Sequence, residues 1–196
     1  MQTRVATPVT LHVDIFGEFR FETSLGEPIA LANRRASIVM AILCLEPDRR
    51  FDREALAHLL WPDRFTPQAK ASLRQCLHDL KRKLWEHGVD CLLVSRSEVA
   101  LAPKSIRTDL MTLEAALSSA EPESAIDQLL AIGNRPLVQG PTLNPEFDEW
   151  ITTRREHVDA RLRAALSEAI RTSPSATCRA RLNTRTAWAC RPSPPC

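Results

Sequence analysis

The chain predicts an α+β fold, because three hydrophobic periods follow one another without the alternation of a βαβ protein. Leu11, Val13, Ile15, Phe19 and Phe21 recur at the strand period of two, with Gly17 interrupting in phase. Leu73, Leu77, Leu80 and Leu84 recur at spacings of four, three and four, which makes one apolar stripe on a helix. The run 91–102, CLLVSRSEVALA, reads as two short strands folded about Arg96 and Ser97. Strands, then helices, then a hairpin is the predicted order.

Each element has its own local signal. After the first strands Gly26 punctuates, and Pro28 to Leu31 has the composition of another short strand. Asn33 is placed to cap a helix that carries Ile38, Ile42 and Leu45 on one side and ends at Glu46-Pro47. Asp52 is the expected cap of a second helix, with Leu56, Leu59, Leu60 and Trp61 apolar and Pro62 as its stop. Pro62-Asp63-Arg64-Phe65 turns the chain into the third helix, 66–84. Thr66 is expected to cap that helix, and Pro67 suits its first turn, where a missing N–H costs nothing. In the hairpin Leu92 and Val94 would oppose Leu101 and Val99, leaving Arg96 at an exposed tip.

The third helix carries the chemistry. Lys70, Arg74, Lys81, Arg82 and Lys83, with Gln75 and His78, lie mostly off the leucine stripe. A rod that is apolar on one side and rich in donors on the other suits a DNA major groove, because Arg, Lys and Gln match guanine and adenine edges. Alone, the pattern more often marks a solvated surface helix. Its context favours the first reading: two helices joined by a short turn, the second basic, outline a helix-turn-helix, and the hairpin that follows is a wing. The expected partner is double-stranded DNA, with a recognition helix over 67–84 and a wing over 91–102 on the adjacent groove or backbone. Arg74, Gln75 and His78 are the candidates for base contacts. Lys70, Ser72, Lys81 and Arg82 would position the helix on phosphates, and Arg96 would reach from the wing. Arg34 and Arg35 suit a phosphate role or a domain–domain ion pair equally well. Asp79 is placed to pair with Lys83 one turn on.

This run resembles the OmpR/PhoB-type winged-helix DNA-binding domain, in the version that heads SARP-type transcriptional activators. The resemblance rests on Phe16-Gly17, on Arg34-Arg35-Ala36 and on Leu59-Leu60-Trp61. Its strongest piece is Ala71-Ser72-Leu73-Arg74-Gln75 followed by Leu77, Leu80, Lys81, Arg82 and Leu84. Past the wing, Asp109 to Leu117 is similar to the start of the bacterial transcriptional activation domain, a helical module of tetratricopeptide type. Pro145-Glu146-Phe147-Asp148-Glu149-Trp150, then Arg154-Arg155-Glu156, is similar to that module's long helix. The resemblance implies a cytoplasmic bacterial activator that contacts RNA polymerase and pairs with a second copy on repeated sites. The chain departs from the pattern at the wing tip, where Arg96-Ser97 stands in place of glycine, and in having no tyrosine. The expected division is a leader over 1–10, a DNA-binding domain over 11–103, a partial activation domain over 104–172, and a tail over 173–196. Repeat modules need stacked neighbours, so an activation module with a single long helix is expected to be truncated.

From Ser173 the sequence has no acidic residue and no helical period, and three of the six cysteines fall there. It reads as a disordered or non-native basic tail. A net charge of +2 does not by itself imply nucleic acid, so the local cluster from Lys70 to Lys83 carries that inference. No apolar run is long enough to span a membrane, and neither a secretory leader nor a receiver domain ahead of the first strand is expected. Cys44, Cys76 and Cys91 are expected as buried thiols. The five histidines stand in no catalytic context and the five glycines form no phosphate loop, so neither an enzyme, a metal nor a cofactor is expected. The alternative reading is a protein-interaction fragment whose winged helix no longer binds DNA.

Overall fold

The alternation from Leu11 to Phe21 yields two strands rather than one, because Gly17 takes a φ of 86° and turns the chain between them. The computed structural model describes residues 9–31, 33–118, 125, 128–129, 132, 135–139 and 143–172. Strands β1 (Leu11–Asp14) and β2 (Arg20–Thr23) pair antiparallel, Leu11 opposite Thr23 and Val13 opposite Phe21. The strand expected over Pro28–Leu31 is reduced to a single bridge, Pro28 to Glu22, with the Ile29 N–H donating to the Phe21 carbonyl at 2.8 Å. Proline has no N–H to continue a ladder there.

Three helices follow. In α1 (Arg34–Leu45) the Asn33 side chain accepts from the Arg35 N–H, and the helix ends at Glu46, as its flanking residues predict. In α2 (Arg53–Leu60) the Asp52 carboxylate accepts from the Ala55 N–H at 2.8 Å. Helix α3 (Thr66–Glu86) begins one residue earlier than a Thr66 cap would place it. Phe65 holds the cap position without a side-chain bond, and Thr66 is already helical. At the other end Gly88, with φ of 72°, closes α3 in a Schellman turn: the Val89 N–H donates to Leu84 O at 3.0 Å and the Gly88 N–H to Trp85 O at 2.9 Å.

The wing forms in the expected register. β4 (Leu92–Val94) pairs with β5 (Glu98–Leu101), Leu92 opposite Leu101 and Val94 opposite Val99. A third strand, β3 (Phe51–Asp52), adds to the far edge of β5 and ties the start of α2 to the wing. β6 (Ile106–Thr108) then returns to lie parallel to β1, Leu11 opposite Ile106. The leucine stripe of α3 packs against α1 and α2; Leu73, Leu80 and Leu84 are each 1% exposed. Ile38, Ile42 and Leu45 of α1 and Leu56 and Leu60 of α2 complete this core.

The chain divides into two compact units, Met1–Asp109 with Pro136–Trp150, and Leu110–Arg135 with Ile151–Cys196. In the first, the Asp109 carboxylate accepts from the Ile15 and Phe16 N–H groups, each at 3.0 Å. The returning segment 136–139 continues the same edge: Gly17 N–H donates to Pro136 O at 2.8 Å, Val138 N–H to Ile15 O and Gln139 N–H to Gly17 O. Val138 is buried there at a φ of 49°, a conformation that costs a β-branched residue and is held by these bonds. The Asn144 side chain donates to Leu59 O at 2.9 Å. Helix α4 (Asp109–Ser118) passes from the first unit into the second, and so does α5 (Pro145–Thr172). In the second unit Leu113, Ala116, Val158 and Leu166 are buried, and Glu114 pairs with Arg161. The tail over 173–196 lies outside the described residues. No helix among the described residues is long and apolar enough to cross a membrane.

Cys44, Cys76 and Cys91 are buried free thiols. Burial pushes Cys76 up to about 11 from its ordinary value of 9.0, and Cys91 up to about 12; it also raises Cys44 well above 9.0. All three should therefore resist iodoacetamide at pH 8 in the folded chain and react on unfolding, read by mass spectrometry. Their folded values exceed the unfolded one, so the stability they contribute is complete below pH 9.0. It is lost as pH rises from there towards about 12, since only the unfolded chain ionises in that window. Rapid native alkylation at Cys91 would contradict the packing described.

Candidate nucleic-acid interface

With the leucine stripe turned inward, the side of α3 about 100° round the helix axis, one residue on from each leucine, faces outward. Residues spaced four and three apart on that side, Ala71, Arg74, His78, Lys81 and Trp85, form an exposed crest along the helix. The wing stands beside the C-terminal half of the crest. An open cleft of about 400 Å³ lies between them. Its α3 side presents Arg74, Leu77, His78, Lys81, Arg82 and Trp85, and it is closed by Arg53 from the start of α2 and Val94 from β4.

The candidate residues fall into distinct electrostatic states. Arg74 and His78 lie on the crest and line the cleft, and Arg96 sits at the wing tip; among the described residues these three have no hydrogen-bond or ion-pair partner. Gln75 lies to one side, its amide donating to both Asp79 oxygens at 3.1 Å. Lys70 pairs with Glu54 at 2.7 Å, Lys81 with Asp90 at 3.7 Å and Arg82 with Asp79 at 3.6 Å. The expected Asp79–Lys83 pair does not form, because Lys83 reaches Glu86 at 3.3 Å and Asp79 is taken by Arg82 and Gln75. Ser72 accepts from Arg64 at 2.6 Å and donates to Gln68 O at 2.9 Å. These ion pairs are solvent-exposed and worth roughly 0–1 kcal/mol each, so an incoming phosphate can displace the carboxylates.

Arg34 is exposed at the start of α1. Arg35 is committed to packing: its guanidinium lies over the Trp61 ring, 5.2 Å from the centroid, and its Nε donates to Leu60 O at 3.3 Å. Neither contact is a domain–domain ion pair.

Two cleft residues escaped the sequence reading. Arg53 fastens the wing tip: its N–H donates to Ser97 O and its guanidinium to Ser95 O, both at 2.8 Å. An arginine in the first turn of a helix opposes the helix dipole, which marks it as recruited by something outside that helix. Trp85 is 66% exposed at the far end of the crest, four residues beyond Lys81 and off the leucine stripe. Its helical position alone would have revealed it. For Arg53 the expected result is local: Arg53→Ala should speed amide exchange at Ser95 and Glu98, whose N–H groups close the wing turn, at least severalfold while leaving α1 protected. Unchanged exchange there would remove its role as a strut.

Among the described residues no cluster of His, Cys, Asp and Glu is arranged to hold a metal ion. No family model matches the chain, and no curated protein does. Among solved structures it is similar to Mycobacterium tuberculosis EmbR in complex with a low affinity phosphopeptide. That likeness has 18% sequence identity and a TM-score of 0.51, and covers 94% of this chain and 67% of that one. At this identity the likeness is one of fold.

Proposed function

We propose that this chain is a sequence-specific DNA-binding transcriptional regulator of SARP type that sets α3 in the major groove and the wing on the adjacent groove. The single observation that carries the reading is the α3 crest: two unpartnered donors, Arg74 and His78, on a rigid helix flanked by exposed cations. Such an array reads bases through its free donors and holds phosphates through groups whose present partners are weak. Arg96 reaches from the wing tip. Helices α4 and α5 would serve as the activation module that contacts RNA polymerase, with a second copy on a repeated site.

A gel-shift titration of the full chain over salt tests this. Binding that weakens linearly in logarithmic salt, with a slope near 0.9 per phosphate neutralised, supports it. The exposed Phe65, 81% accessible at the turn before α3, favours a second reading, a protein-interaction fragment. A chain that binds no duplex at any salt concentration would establish that second reading over the first.

A further inference from the structure

A helix in the major groove and a wing in the neighbouring minor groove must straddle whatever divides those grooves. In a duplex that divider is one sugar–phosphate strand. The cleft between α3 and β4 is where such a strand would lie, and its lining has an unexpected character. Cations alone would suit phosphate alone, yet Trp85 and Val94 stand among Arg53, Lys81 and Arg82 on its walls. Trp85 is 66% exposed and Val94 38%, so both leave apolar surface in water at the cleft. Trp85 also lies eleven residues beyond Arg74, about 16 Å along the helix axis at 1.5 Å per residue. That separation takes it past the base pairs Arg74 can reach, to where a straight helix leaves the groove.

We propose that the cleft seats one deoxyribose–phosphate strand, with Trp85 and Val94 packing on the sugars while Arg53, Lys81 and Arg82 flank the phosphates. A mostly apolar cleft with cationic side chains set around it matches a strand whose charged phosphates flank an apolar sugar face. The proposal rests on the DNA-binding reading above and adds a contact that reads no base.

An apolar contact with sugar releases no counterion, whereas a lost cation does. The full chain is titrated with a mixed-sequence duplex about three helical turns long, across a range of salt concentrations. Trp85→Ala should weaken binding roughly tenfold, equally on all sequences, with the salt slope unchanged. Arg82→Ala should instead lower the slope by about one unit. Trp85 emission should shift to the blue on adding duplex, and Trp85→Phe should abolish that shift while keeping most of the affinity. A Trp85→Ala loss confined to particular sequences would make Trp85 a base reader and overturn the proposal. So would salt-dependent binding with Trp85 emission and affinity both indifferent, leaving the DNA reading in place. Absence of any duplex binding would overturn both.

Discussion

Truncating Leu80 to alanine should destabilise the chain by roughly 2–5 kcal/mol. Leu80 is 1% exposed in the stripe, on the side of α3 that packs against α1 and α2. Removing its branched end leaves a void that close-packed neighbours cannot fill, so the cavity adds to the lost transfer energy. Leu93→Ala is the control, because Leu93 faces water on β4 at 51% exposure and should change stability little. Chemical denaturation of both variants checks the contrast. A Leu80→Ala chain as stable as the parent would mean that the crest and stripe have been assigned to the wrong sides, and the interface would fall with them.

Arg74→Ala should cost specific DNA binding roughly 1–3 kcal/mol and relax the preference at one base pair. Arg74 is the group best placed for this, since it lies on the crest, lines the cleft and has no partner to give up. A bidentate guanidinium on a guanine edge discriminates because a wrong base leaves its donors unpaired. Lys81→Ala separates this from simple charge loss: it should weaken all sequences alike and lower the salt slope by about one unit. Selection of sites from a random duplex pool by parent and variant chains measures both. Identical selected sequences from the parent and Arg74→Ala chains would move base reading elsewhere on the helix. Gln75 is a poorer reader than its amide suggests, because base contact would first require breaking its bonds to Asp79.

Local rules made much of the fold legible. Asn33 and Asp52 announce α1 and α2 because a cap acts within three residues, and the spacing of Leu73, Leu77, Leu80 and Leu84 orients α3 because a helix has one period. The wing register follows from two short apolar runs about a polar tip. The same period that hides the leucines exposes Arg74, His78 and Trp85, so the crest was contained in the sequence even where Trp85 went unread. What the sequence did not disclose depends on residues far apart along the chain. β3 pairs with β5 across some fifty residues, β6 with β1 across more than ninety, and segment 136–139 returns to the edge at Ile15 to Gly17. Such pairings have no local periodicity to advertise them. Only the tertiary structure decided which cations are held, Lys70 by Glu54 and Lys81 by Asp90, and which stand free. A charge's availability depends on the carboxylates that folding brings within a few ångströms of it, and for these partners the sequence separation is set by tertiary packing and not by the helix repeat.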